Sequence, residues 1–129
     1  MSFHKLIEIR EHTGPVYTVA YGHGFIYSVS GDKFLTRWNI DTGKQDAFAI
    51  KFEQSIYSIE IAKNFLFVGL ANGSLHVFDV DTRKEVKHFI QHKDAIFSIA
   101  YNSELNQLYV GDAEGNLSVW NSETIPHCL

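Results

Sequence analysis

Residues 31–39 read GDKFLTRWN. The pattern returns as ANGSLHVFD at 71–79 and as AEGNLSVWN at 113–121. In each copy a turn precedes a leucine, an aromatic ring follows three places later (Trp38, Phe78, Trp120), and Asn or Asp closes the run. The flanking sequence repeats in the same register. VYTVAY, IYSIEI and IFSIAY begin at 16, 56 and 96, and DTGK at 41–44 recurs as DTRK at 81–84. The stretch NSELNQ at 102–107 accounts for two additional residues in the third unit. A fixed period of about 40 residues marks a repeat architecture, in which each unit is one supersecondary element.

Each unit reads as strands. In the first, residues 16–21, 25–30 and 34–40 are rich in β-branched and aromatic side chains, and Gly-His-Gly and Gly-Asp-Lys separate them. A fourth strand, 45–50, follows the Asp-Thr-Gly-Lys turn. No window carries the i, i+3, i+4, i+7 apolar pattern of a helix. Four short strands in about 40 residues describe one propeller blade. Blades are covered on both faces by neighbours, so Val16, Tyr17 and Val19 do not divide into a wet and a dry face. The expected fold is an all-β propeller with three four-stranded antiparallel blades. They form a single segment over 1–129, with repeats at 11–50, 51–90 and 91–129.

The chain has 129 residues, 45% of them hydrophobic and 20% charged, which excludes disorder. Its net charge is −4 and it holds no Lys/Arg run, so no nucleic-acid or anionic-membrane partner is expected. MSFHKLIEIR, residues 1–10, lacks the apolar core of a secretory signal. The single cysteine, Cys128, suits a reducing, cytoplasmic setting.

On these residues the chain resembles the WD-repeat family over essentially its whole length. That family's repeat carries Gly-His before the first strand, Ser or Thr in the second, Asp in the next turn, and Trp-Asp at the end of the third. The first place is held here by Glu11-His12, Lys51-Phe52 and Gln91-His92, and the second by Ser28, Val68 and Val110. The third is held by Asp32, Asn72 and Glu114, and the last by Trp38-Asn39, Phe78-Asp79 and Trp120-Asn121. The resemblance therefore implies a structural hydrogen-bonded tetrad of His12, Ser28, Asp32 and Trp38 in the first unit. A partial one is implied in the third, His92, Glu114 and Trp120, with Val110 in the serine place and no evident acceptor for the Trp120 indole.

His12, Ser28 and Asp32 also invite reading as a nucleophile, base and orienter. The structural reading is preferred. A buried indole N–H needs an acceptor, Ser28 supplies it and passes its own hydrogen to His12, and no nucleophile elbow surrounds Ser28. The seven histidines show neither helical pairing nor zinc-ligand spacing, so no metal and no cofactor is expected.

Three blades do not make a ring, since propellers have about four to eight. HKLIEIREH at 4–12 aligns with KQDAFAIKF at 44–52 and KEVKHFIQH at 84–92, so 4–10 is read as an outer strand of a preceding blade. ETIPHCL at 123–129 ends where the third unit's own outer strand begins. Two readings follow. Copies close head to tail as a homo-oligomer, a six-bladed dimer being favoured over a nine-bladed trimer. Otherwise the chain is a fragment or engineered piece of a longer propeller with no partner beyond itself.

The resemblance implies a non-catalytic scaffold that binds proteins or peptides on the face bearing two sets of loops, those before the first strand and those between the second and third. Thr13, Glu53, Gln54, Lys93 and Asp94 stand in those loops, with Lys33 nearby. Tyr17, Tyr57 and Phe97 recur at one place just beyond them, either as rim anchors or as packing between blades. The competing class is an enzyme, a hydrolase using Ser28, His12 and Asp32.

Overall fold

The computed structural model describes residues 1–90 and 92–122. Strands β1 (Val16–Gly22), β2 (Phe25–Ser30), β3 (Phe34–Asn39) and β4 (Gln45–Lys51) form the first antiparallel sheet, in that order. Strands β5 (Ile56–Ala62), β6 (Phe65–Leu70), β7 (Ser74–Asp79) and β8 (Glu85–Ile90) repeat it. The third sheet holds β9 (Ile96–Asn102), β10 (Gln107–Asp112) and β11 (Leu117–Asn121). The place of its outer strand, with His127 and Cys128, lies outside the described residues. No helix among the described residues is long and apolar enough to cross a membrane.

The sheets stack through their inner strands. β5 packs on β1 and β2, and β9 packs on β5 and β6. Two apolar cores result. Tyr27, Val29, Leu35 and Phe48 of the first blade close over Ile56, Ile59, Leu66 and Val68 of the second. Phe65, Phe67, Leu75 and Val77 close over Ile96, Ile99, Leu108 and Val110 of the third. Polar bonds join the inner strands too. The Ser58 hydroxyl donates to the Ile96 carbonyl at 2.9 Å, and the Tyr101 amide donates to Glu60 at 3.1 Å.

One position shows what stacking decides. Val19, Ile59 and Ile99 are equivalent residues, yet Val19 is 61% exposed while the other two are 7% and 9%. At the opposite end, Leu117 is 72% exposed where its equivalents Leu35 and Leu75 are buried. The side chains are alike; the difference is whether a neighbouring blade covers them. The described residues do not close a ring.

The outer strand expected at 4–10 is assigned to a preceding blade, which the single chain does not supply. Residues 1–15 carry no strand. Such a strand needs the third strand of a preceding blade as its partner, and no sheet stands before β1 among the described residues. The segment instead lies over the first blade. Ile7 approaches Gly43 closely enough that a Cβ there would sit 3.0 Å from its Cδ1, and Ile7 and Ile9 line a groove with Trp38.

Each inner strand also carries an irregularity near its start. The pairing register slips between Val16 and Thr18, between Ile56 and Ser58, and opposite Gly111 and Asp112, leaving Tyr17, Tyr57 and Phe97 without a paired residue. A bulge of this kind breaks the two-residue alternation and re-aims one side chain.

Candidate functional site

The structure brings His12, Ser28, Asp32 and Trp38 together. The Trp38 indole donates to Ser28 Oγ at 2.8 Å, Ser28 Oγ lies 2.7 Å from His12 Nε2, and His12 Nδ1 lies 2.8 Å from Asp32 Oδ2. A carboxylate only accepts, so Nδ1 carries hydrogen; Ser28 then accepts from Trp38 and donates to Nε2. Burial pushes the Asp32 carboxyl up, but hydrogen bonds from His12 and from the Phe34 and Thr13 amides outweigh it, and the net value is lowered. Ser28 is buried and its hydroxyl is committed on both sides. A substrate carbonyl would have to displace the Trp38 indole to reach its buried oxygen, so the arrangement suits a structural clamp rather than a triad.

The third blade holds a complete network too, but not with the residues expected. Glu114 is exposed and takes no part through its side chain; its amide donates to Asp112 Oδ1 at 2.9 Å. His92 Nδ1 meets Asp112 Oδ2 at 2.7 Å, His92 Nε2 meets Ser118 Oγ at 2.7 Å, and the Trp120 indole donates to Ser118 Oγ at 2.8 Å. The serine has moved across the sheet. Val110 pairs with Ser118 just as Ser28 pairs with Thr36, so a hydroxyl on either strand of that pair reaches the same point on the same face. Asp112 ends β10, two places before the turn position that Asp32 occupies. The sequence did hold a signal: counting twenty residues from His12 reaches Asp32, and from His92 reaches Asp112. The His92 hydrogen bond, helped by Asn116 and the Glu114 amide, holds the Asp112 carboxyl far below the ordinary range.

Removing Ser28 leaves the buried Trp38 indole N–H and a His12 nitrogen unpaired, and removing Ser118 does the same to the half-buried Trp120 indole and to buried His92. Ser28→Ala and Ser118→Ala are each expected to lower the unfolding free energy by about 1–3 kcal/mol. Denaturant titration checks this; a cost below about 0.5 kcal/mol at both sites would remove the clamp reading.

In the second blade the four equivalent places are Phe52, Val68, Asn72 and Phe78. Phe52 and Phe78 meet edge to face, with centroids 5.9 Å apart.

The candidate loop residues are open to solvent to different degrees. Thr13, Lys33, Glu53, Gln54 and Lys93 are exposed and Asp94 is half-buried. Below them the three bulged rings form a ladder. Tyr17 and Tyr57 stand 4.8 Å apart and Tyr57 and Phe97 5.1 Å apart, both edge to face. Tyr17 and Phe97 are about half exposed while Tyr57 is shielded between them. The rings therefore pack between blades and also present a surface. The described residues hold no cluster of three or more groups able to take a metal ion.

Sequence reading missed one further pair. Arg37 is buried in the core beside Tyr27 and Phe48, its guanidinium 4.0 Å from the Phe25 ring centre. It donates through Nε to Asp46 Oδ2 at 2.7 Å and closes a second bond through Nη2. Nothing in the repeat pattern marks this pair, because the equivalent places elsewhere are Val77, Val86 and Val119.

Comparison with known proteins fits this geometry. The model of the family described as LRRK2 beta propeller matches residues 24–128. A U3 snoRNP-associated protein-like protein of Arabidopsis thaliana is 27% identical over 118 residues, covering 75% of this chain and 25% of that protein. A probable inactive protein kinase of Dictyostelium discoideum is 30% identical over 112 residues, covering 81% of this chain and 8% of its own length. The chain thus spans a quarter or less of these curated relatives. Among solved structures, U3-55K and the RRP9 WD40 repeats each superpose with a TM-score of 0.82 at 17% identity, covering 94% of this chain. This chain covers 40% and 39% of them.

These findings correct the expectation about partners, which admitted no nucleic acid and identified only a second copy. The Arabidopsis relative is named for association with a ribonucleoprotein particle, which is neither a copy of itself nor free of nucleic acid. Net charge and the lack of basic runs describe the electrostatic field of a surface. They say nothing of joining such a particle through its protein components. Three stacked WD-type blades, matched over residues 24–128, give the conclusion that the chain belongs to the LRRK2 beta-propeller family and is a run of WD-repeat blades.

Proposed function

We propose that the chain is a non-catalytic WD-repeat scaffold that docks protein components of a larger assembly, a ribonucleoprotein particle being the favoured setting. The observation that carries this is the ladder Tyr17–Tyr57–Phe97. Each ring stands at a bulge, the end rings are about half exposed, and the exposed Glu53 and Lys93 lie four residues before Tyr57 and Phe97 in the chain. Bulges re-aim side chains at rims and binding sites, loops held by rigid blades carry function, and aromatic residues are frequent interface anchors. The relative named for association with the U3 snoRNP supports the setting.

Affinity capture with the full chain tests the reading. Tyr17→Ala and Phe97→Ala, and the charge exchanges Glu53→Lys and Lys93→Glu, are compared with the wild type. Loss of an anchoring ring is expected to weaken capture of protein components by tenfold or more, about 1.4 kcal/mol. Capture unchanged by all four substitutions would refute this face as the docking surface. Capture of RNA alone, without protein, would refute the protein-scaffold reading.

A further inference from the structure

Five non-glycine residues among the described residues hold a positive φ: His23 at 54°, Lys33 at 73°, Lys63 at 56°, Arg83 at 64° and Asn106 at 54°. A side chain is disfavoured there because its Cβ crowds the following carbonyl oxygen, and glycine is the usual occupant. Strain of this kind persists where something else offsets it. Four of the five have that offset inside the protein. His23 Nε2 lies 2.8 Å from the Lys63 carbonyl oxygen. Lys63 Nζ donates to Asn106 Oδ1 at 3.1 Å, and the Tyr101 hydroxyl stands 3.1 Å from the same oxygen. Arg83 is placed where its charge acts on the Asp46 carboxylate of the first blade. Lys33 differs. Its side chain is exposed, and its ammonium makes no hydrogen bond or ion pair among the described residues.

We propose that Lys33 is the anion-recognising residue of the docking face described above, on which this assignment rests, and that it takes a carboxylate of the protein partner beside the Tyr17 ring. The other blades show what the turn itself requires. The equivalent residues are Gly73, with φ of +86°, and Gly115, with φ of +87°. The Lys33 amide donates to the Ser30 carbonyl at 3.1 Å, and the Gly73 amide makes the same bond to Leu70 at 3.2 Å. Glycine therefore closes this turn without strain, and the lysine side chain adds nothing to it.

The surroundings say what the ammonium can bind. The adjacent carboxylate, Asp32, is already committed. Its Oδ2 accepts from His12 and from the Thr13 amide, and its Oδ1 accepts from the Phe34 amide. Lys33 is thus a cation whose neighbouring carboxylate is spent on the clamp. The turn is also fixed to the aromatic ladder. A Cβ added at Gly31 would stand 3.1 Å from Pro15 Cδ and 3.4 Å from the Tyr17 ring, which stays about half exposed. A partner residue that presents a carboxylate next to an apolar group meets both. A phosphodiester chain is a poorer match, because it calls for several cations in a row. Here Lys51 lies over the Phe34 ring at 5.7 Å, and Glu11 shares the groove of Asp32 and Phe34.

NMR titration of the full 129-residue chain tests this. The probes are a short peptide of alternating leucine and glutamate, its glutamine counterpart, and single-stranded oligouridylate. The acidic peptide is expected to shift the Lys33 ammonium and Tyr17 ring signals and to bind about fivefold more tightly than the glutamine peptide. Lys33→Gly is expected to abolish that preference while raising the folding equilibrium constant about fivefold, because the strain leaves with the side chain. Lys33→Arg keeps the charge and is expected to keep the preference. A Lys33→Gly chain no more stable than the wild type would overturn the proposal. So would one that still prefers the acidic peptide, or an oligouridylate that moves Lys33 where the peptide does not. Tyr17→Ala separates the two readings. If it weakens peptide binding and Lys33→Gly does not, the role of Lys33 falls and the docking face stands; if neither weakens it, both fall.

Discussion

Gly73→Ala is expected to cost about 4 kcal/mol of unfolding free energy, or to release the third blade from the second. Two effects add at this residue. Its φ is +86°, a conformation in which a Cβ costs about 1–2 kcal/mol. The Cβ would also stand 2.1 Å from the His92 carbonyl oxygen and 3.0 Å from that of Asp94. Both are main-chain atoms of the segment that enters the third blade. They cannot swing aside without dragging His92 off Asp112 and Ser118, and overpacking of that kind costs about 1–3 kcal/mol or more. Gly24 and Gly115 serve as controls, because they share the conformation, with φ of +85° and +87°, but have nothing within 4 Å. Alanine at either is expected to cost only about 1 kcal/mol. Denaturant titration of the three variants separates backbone strain from collision; equal costs at all three would refute the close contact between the blades.

The Arg37–Asp46 pair carries the second large effect. Asp46→Ala leaves a buried guanidinium without its carboxylate. Stranding one member of a buried pair costs about 3–5 kcal/mol, and the partial exposure of Asp46 places this case near 3. Replacing both members is a different matter. The second blade fills the equivalent places with Val77 and Val86, so the site does not require charge. Arg37→Met with Asp46→Val is expected to recover most of the loss, and a double variant no better than Asp46→Ala would sink the argument.

The pair also sets a pH dependence. Burial raises the Asp46 carboxyl, but the bonds from Arg37 and the Phe48 amide outweigh it and the net value is lowered. A lowered carboxyl contributes stability that is present above the unfolded-state value, near 4, and lost as pH falls through the folded value. Asp32 and Asp112 act in the same direction. The wild type is therefore expected to lose stability as pH falls below about 4. Asp46→Asn is expected to show a shallower acid limb while starting from a lower plateau. Parallel limbs would refute the linkage.

Much of this protein was legible in its residues. The period of about 40, the leucine three places before a ring and the Gly- and Asn-containing turns specified three strand-rich units. They also located His12, Ser28, Asp32 and Trp38 as one group, because those features are local and recur in register. What failed did so at contacts between strands. Ser118 and Asp112 escaped because alignment along the chain compares like position with like position. A sheet instead lets a hydroxyl on either of two paired strands fill one point in space. Residues 4–10 have the composition of an outer strand, but a strand exists only with a partner, and the single chain does not supply the preceding blade to which that strand is assigned. Tyr17, Tyr57 and Phe97 are grouped by their recurrence at one position, but only the structure shows the register slips that leave them unpaired and the edge-to-face packing between blades. Sequence alone determined the repeat, its strands and which residue types must meet. The tertiary structure decided which copies of those types do meet, because cross-strand register and stacking bring together atoms that chain separation does not rank.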